Sequence, residues 1–181
     1  MNVVTTNLAG VLIIEPKVFG DNRGFFFESF QAQRYRDAGI EFDFVQDNHS
    51  RSAKGVLRGL HFQIKKPQGK LVRVSRGEVL DVAADIDPAS PTFGQHVAVV
   101  LSEENHRQLW VPPGYAHGFV VLSESADFQY KCTDYYDPSD EGGILWNDPT
   151  LAVDWRTEAP LLSAKDQLNP TLAAYAERLR A

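Results

Sequence analysis

From Phe44 onward the chain repeats one pattern: short apolar runs broken by glycine, proline or Asp-Pro clusters. The runs are Phe44-Val45-Gln46, Val56 to Ile64, Lys70 to Ser75, Glu78 to Ile86, Gln95 to Leu101, Gln108 to Val111, Gly118 to Leu122 and Asp127 to Tyr136. Many short strands with little helix between them point to antiparallel β structure rather than a parallel α/β sheet. So many strands in a small domain predict a jelly-roll barrel.

The ends of the chain differ from this middle. Leu8 to Pro16 reads as a strand near an edge, Phe19 to Gly24 as a tight turn, and Phe25 to Phe30 as an aromatic strand. Gln31 to Gly39 reads as a short helix stopped by its glycine. After Trp155, Ser163-Ala164-Lys165-Asp166 resembles a capping box, and Asn169-Pro170 predicts a cap followed by the first residue of a helix. Leu172, Tyr175, Ala176 and Leu179 then recur at helical spacing, so the chain is expected to end in an amphipathic helix.

A chain of 181 residues can bury a sizeable core as one domain, residues 1–181. Its single cysteine, Cys132, excludes an internal disulfide and a multi-cysteine zinc site, in keeping with a reducing compartment. No signal-like leader and no run long enough to span a bilayer is visible, so a soluble, cytoplasmic protein that does not engage membranes is expected. The net charge of −6 argues against nucleic acid as a partner. It leaves room for a nucleotide ligand met by a few local cations.

Chemistry concentrates in Gly55 to Lys70, where Arg58, His61 and Lys70 interrupt what otherwise looks like core strand. Buried cations are costly unless an anion or reacting group meets them. Strand alternation puts Gly59, His61 and Gln63 on one face and Leu60, Phe62 and Ile64 on the other. Arg58 should point away from His61 on a straight strand, unless Gly59 marks a bulge that redirects it. On Asp127 to Thr133, Phe128, Tyr130 and Cys132 share a face, which can turn Tyr130 toward the same interior. His117 opens the strand after the rigid turn Pro112-Pro113-Gly114.

Taken singly, each of these residues has an ordinary explanation. A lone strand histidine is usually a hydrogen-bonded core or surface residue, and Tyr130 an amphipathic core side chain. Asp166 is accounted for by helix capping, Lys70 by a loop, Arg23 and Glu28 by a solvated pair, and His117 by a bond to its turn. Their joint presence carries more weight.

The combination resembles a cupin. Pro113-x-x-x-His117 is similar to the second cupin motif, but the first reads His61-Phe62-Gln63 with Lys70 where an acidic ligand is wanted. Since a cation cannot ligate a cation, no metal site is expected. More specifically, the chain resembles the dTDP-4-dehydrorhamnose 3,5-epimerase family. The likeness lies in Phe19-x-D-x-R-G-x-F-x-E28, Gln46-Asp47-Asn48-x-Ser50, Gly55-V-L-R-G-L-H-F-Q63, Pro112-P-G-Y-A-H-G-F119, Tyr130-Lys131-x-Thr133-x-Tyr135-Tyr136, Glu141-Gly142-Gly143 and Ser163-x-K-D166.

This resemblance implies a mostly β, cupin-like antiparallel jelly-roll barrel with a few short helices, and an enzyme needing no cofactor. The implied substrate is a dTDP-4-keto-6-deoxy sugar epimerised at carbons 3 and 5; mono-epimerases and a non-catalytic sugar-nucleotide binder share enough apparatus to remain alternatives. By the same match His61 is the base, Asp166 its orienting carboxylate, Lys70 the oxyanion partner and Tyr130 the proton donor. Arg23, Phe26, Glu28, Gln46, Asp47, Asn48, Arg58, His117, Glu141 and Lys165 are implied substrate contacts. The family also implies a homodimer whose N-terminal strands serve the partner's site.

Overall fold

The computed structural model describes residues 1–180. Its thirteen strands are β1 Asn2–Thr5, β2 Leu12–Glu15, β3 Phe19–Asp21, β4 Gly24–Phe26, β5 Gln46–Ala53, β6 Leu57–Gln63, β7 Lys70–Arg76, β8 Glu78–Asp85, β9 His96–Ser102, β10 Gln108–Val111, β11 Tyr115–Val121, β12 Ser125–Cys132 and β13 Glu141–Gly143. Two helices, α1 Ala32–Asp37 and α2 Leu172–Arg180, complete the fold with a 3₁₀ turn at Asp166–Leu168. No helix among the described residues is long and apolar enough to cross a membrane.

The strands form a six-stranded sheet in the order β1, β2, β10, β7, β12, β5, and a five-stranded sheet in the order β13, β6, β11, β8, β9. The strands β3 and β4 pair only with each other. All these pairings are antiparallel. The expected closed barrel is therefore corrected: neither sheet closes, since β1 and β5 end one and β13 and β9 end the other. The physical reason is that the two sheets meet through side chains rather than through a continuous ladder of backbone hydrogen bonds.

Three apolar clusters build the layers. Between the sheets lie Val72, Val74, Leu109 and Phe128 from one and Val79, Val99, Phe119 and Val121 from the other. On the outer side of the five-stranded sheet, Leu60, Phe62 and Val82 pack against Ile144, Leu151, Trp155 and Leu172 from the C-terminal part of the chain. On the outer side of the six-stranded sheet, Ile14, Leu71 and Trp110 pack against Tyr35 of α1 and Ile40.

Local chemistry explains the helix ends. Gln31 caps α1 by accepting from the Arg34 backbone N–H at 2.6 Å, and Gly39 leaves the helix with φ +93°. At the C-terminus the expected start at Pro170 is corrected: α2 begins at Leu172, and the Thr171 hydroxyl accepts from the Ala174 N–H at 3.3 Å. Of the expected capping box only half forms. Ser163 Oγ accepts from the Asp166 N–H at 3.1 Å, while the Asp166 side chain turns elsewhere.

Candidate active site

Between the sheets the core gives way to a cavity of about 600 Å³. Its walls come from β5, β6, β7, β11 and β12, and the stacked rings of Phe119 and Phe128, 4.0 Å apart, belong to its lining. His61 enters from the five-stranded sheet, whereas Tyr130 and Lys70 enter from the six-stranded one. The base candidate and the donor candidate thus occupy facing walls.

Strand β6 carries both Arg58 and His61 into this space because it is bulged. In the pairing with β11, His61 stands opposite His117 and Arg58 opposite Phe119, so three steps on β6 match two on β11. Gly59 sits in the bulge with φ +125°, and the peptide that follows it is cis. A Cβ there would lie 2.6 Å from Gly118 Cα, so only glycine fits without a shift. Arg58 Nε then donates to Ser52 Oγ at 3.1 Å.

Asp166 reaches His61 from far along the chain. Leu161 is pinned beside the start of β6, its N–H donating to Gly55 at 2.8 Å and its carbonyl accepting from Leu57 at 3.0 Å. The following turn then brings Asp166 Oδ1 to 2.5 Å from His61 Nε2. Asp166 is buried, which alone would raise its pKa, but the His61 hydrogen bond and charge, the Ser163 hydroxyl and the Gly59 backbone together hold it below the ordinary carboxylate value. The other ring nitrogen, Nδ1, is 3.9 Å from Glu141 Oε1.

Glu141 opens β13, opposite Gln63 of β6. It accepts from the Tyr136 hydroxyl at 2.6 Å and pairs with Lys165. Burial pushes its pKa up, yet Lys165, Tyr136 and His61 bring it net below the usual value. The same hydrogen bond to Glu141, with some burial, drives the Tyr136 hydroxyl up to about 12.

Lys70 is in none of the site's ion pairs, which join His61 to Asp166 and Glu141, Glu141 to Lys165, and His117 to Asp81. Desolvation lowers its pKa, opposed by Cys132, Glu141 and Asp81. Burial raises the Tyr130 phenol, with Cys132 adding to the shift and Arg58 opposing it. His117 Nε2 donates to Asp81 Oδ1 at 2.9 Å; Asp81 is fully buried, and its Oδ2 has no partner among the described residues.

The structure thus gathers His61, Lys70, Tyr130, Asp166, Gln46, Asn48, Arg58, His117 and Glu141 around one cavity, with Lys165 attached through Glu141. Four predicted residues lie elsewhere. Asp47 points to the other face of β5 and pairs with Lys131 at 3.0 Å. Arg23 is exposed and pairs with Asp21, Phe26 is 69% exposed, and Glu28 pairs with Arg34 at 3.0 Å. Sequence reasoning missed Ser50, Gln68 and Tyr136 in the cavity lining and Asp81 behind His117. Asp81 did leave a signal, as a carboxylate inside the apolar run Val79 to Ala84. Among the described residues no group of three His, Cys, Asp or Glu side chains is placed to hold a metal.

The chain is similar over most of its length to known proteins. The family model for dTDP-4-dehydrorhamnose 3,5-epimerase matches residues 5–174. The dTDP-4-dehydrorhamnose 3,5-epimerase of Salmonella typhimurium is 59% identical over 175 residues, covering 95% of this chain and 96% of that protein. That of Pseudomonas aeruginosa is 56% identical, covering 96% of this chain and 97% of its own. The crystal structure of the Legionella pneumophila dTDP-6-deoxy-D-glucose-3,5-epimerase, solved in complex with dTDP-4-keto-L-rhamnose, matches with a TM-score of 0.94 and 57% identity over 98% of this chain and 96% of that one.

Proposed function

Since the chain belongs to the dTDP-4-dehydrorhamnose 3,5-epimerase family, we propose that it inverts carbons 3 and 5 of dTDP-4-keto-6-deoxyglucose, the epimerisation step of dTDP-L-rhamnose biosynthesis. The protein is an isomerase. The observation that carries the proposed division of labour is the single cavity lined by His61, Lys70 and Tyr130 from two facing sheets, with Asp166 bonded to the imidazole.

The ketone at carbon 4 acidifies the C–H bonds on both sides of it. Those protons are still far weaker acids than imidazolium, whose ordinary pKa is about 6.5, so a base alone is insufficient. Lys70 supplies what is missing: an ammonium in none of the site's ion pairs among the described residues, lining the cavity where it can meet the developing enolate oxygen. His61 removes the proton, and Asp166 steadies the imidazolium that results. Tyr130 delivers a proton from the facing wall, as inversion requires; return of the same proton by His61 would restore the starting configuration.

Arg58 suits the diphosphate, being able to donate two parallel hydrogen bonds to phosphate oxygens. Gln46, Asn48, His117, Glu141 and Lys165 complete the contacts to the sugar nucleotide. Arg23, Phe26 and Glu28 stand clear of their own cavity, on and beside the exposed hairpin β3–β4, and we assign them, with Asp47, to a homodimer in which the N-terminal strands reach the partner's site.

Incubation with the keto-sugar nucleotide in deuterated water tests the reading. Deuterium at both carbons is expected. Label at one carbon would make the protein a mono-epimerase, and label at neither would reduce it to a binding module.

A further inference from the structure

Two inversions on one sugar pose a proton-accounting problem that a single base and a single acid do not solve. In each inversion His61 takes a proton from a ring carbon and Tyr130 gives one to the opposite face of that carbon. The sugar keeps its composition, but the protein is left with an imidazolium and a phenolate. Before the second carbon can react, His61 must lose one proton and Tyr130 must regain one.

The surroundings of His61 supply a route. Nε2 is committed to Asp166, so the proton taken from carbon resides on Nδ1, and the nearest carboxylate to that atom is Glu141, at 3.9 Å. This exceeds hydrogen-bond contact by about 1 Å, a gap that a small side-chain movement or one water closes. The other oxygen of Glu141 is held at 2.6 Å by the Tyr136 hydroxyl. Tyr136 lines the same cavity as Tyr130 and is itself 49% exposed. Its position is fixed by its backbone N–H, which donates to Gln46 at 3.0 Å, and Lys165 braces Glu141 from the opposite loop. The chain of groups therefore runs from the spent base toward the spent acid, with an opening to solvent beside it.

We propose that Glu141 and Tyr136 form a proton-return relay that resets His61 and Tyr130 between the two inversions. The relay rests on the epimerase reading above. Imidazolium Nδ1–H gives its proton to the Glu141 carboxylate. Once protonated, Glu141 turns its carboxyl O–H toward the Tyr136 oxygen, and the Tyr136 hydroxyl swings from Glu141 toward Tyr130. Glu141 then gives its proton to that oxygen as the former hydroxyl proton passes, directly or through one water, to the Tyr130 phenolate. Glu141 and Tyr136 finish as they began, and the net change is one proton from His61 to Tyr130. An ordinary phenol is a weaker acid than an ordinary imidazolium, so the proton moves toward Tyr130. Burial of Tyr130, which pushes its pKa up, adds to the drive.

The test is the number of deuterons per released sugar nucleotide, counted by mass spectrometry at low conversion in deuterated water. Tyr136→Phe and Glu141→Gln are each expected to raise the ratio of singly to doubly labelled product about a hundredfold over the unmodified protein, the lower end of general acid–base effects. Added imidazole buffer, a diffusible proton carrier, should bring that ratio back. Tyr136→Phe removes only the hydroxyl of a half-exposed residue, so it reports even if Glu141→Gln disturbs the loop. If the unmodified protein labels both carbons and both variants keep its ratio and its indifference to buffer, the relay is wrong and the epimerase reading stands. If the unmodified protein fails to label both carbons, the double-inversion reading falls first and takes the relay with it.

Discussion

His61 Nε2 lies 2.5 Å from Oδ1 of Asp166, a residue 105 positions further along the chain. The contact does two things at once. It fixes the plane of the ring, and it places a carboxylate held in its ionised form against an imidazole that must become positive during reaction. Asp166→Asn keeps the shape and removes the charge. A loss in kcat of about a thousandfold or more is expected, with nucleotide affinity little changed, because the charge matters to the reacting state rather than to ground-state binding. Steady-state kinetics alongside calorimetric binding of dTDP checks this; a loss confined to affinity would contradict the assignment.

Lys70 is a case of function held against stability. It is an ammonium whose pKa is lowered by desolvation and which no carboxylate pairs among the described residues. Lys70→Met keeps most of the side-chain volume and abolishes the desolvation cost. The variant should be nearly inactive yet more stable by about 1 kcal/mol or more. The sign of the pH effect follows from the same burial. Activity needs the protonated form, so the rate should fall on the alkaline side through a pKa below the ordinary 10.5. A variant both inactive and less stable would mean that Lys70 is a structural residue.

Gly59 and Gly118 touch across the β6–β11 pairing. A Cβ on Gly59 would come within 2.8 Å of the His117 carbonyl, and one on Gly118 within 2.7 Å of the Arg58 carbonyl. Gly59 also needs φ +125°, which an L side chain rarely adopts. Gly59→Ala should cost about 1–3 kcal/mol in stability and should weaken dTDP binding and exchange together, since the bulge turns Arg58 and His61 into one space. Thermal melts with dTDP titration test it; a stable variant with normal binding would show that the bulge is not needed.

What the sequence disclosed and what it hid follow from the same chemistry. The faces of β6 were legible because Leu60 and Phe62 alternate with His61 and Gln63, and the outer cluster indeed takes Leu60 and Phe62. Of strand β5 the apolar pattern reached only Gln46, at the end of the run Phe44-Val45-Gln46, because the inward residues Gln46, Asn48 and Ser50 are polar cavity-lining side chains and the outward ones, Asp47, His49 and Arg51, are exposed. Strand β13 is Glu-Gly-Gly, held through its backbone, with almost no side chain to reveal it. Sheet closure was misjudged for a different reason: it depends on which distant edges pair, and alternation within a strand carries no information about that. Among the site residues, Asp166 was nameable from its motif, but its hydrogen bond to His61 depends on Leu161 being anchored beside Gly55 and Leu57.

The same β5–β12 pairing sets an acid limit on the fold. Arg51 and Asp127 stand opposite each other in the ladder and make two parallel hydrogen bonds of 2.5 and 2.7 Å. The Arg51 hydrogen bonds, more than its charge or that of His49, hold the Asp127 carboxyl at about 2 instead of 3.8. Between those values the unfolded chain binds the proton more tightly than the folded one, so stability from this pair is complete above about pH 4 and disappears as pH falls toward about 2. Arg51→Met should remove that contribution. Its thermal midpoint should lie below that of the unmodified protein at pH 6, and the gap should narrow steadily as the pH is lowered through this window. Midpoints from calorimetry at several pH values decide it, and a gap that stays constant across the window would mean that the pair does not carry the acid dependence.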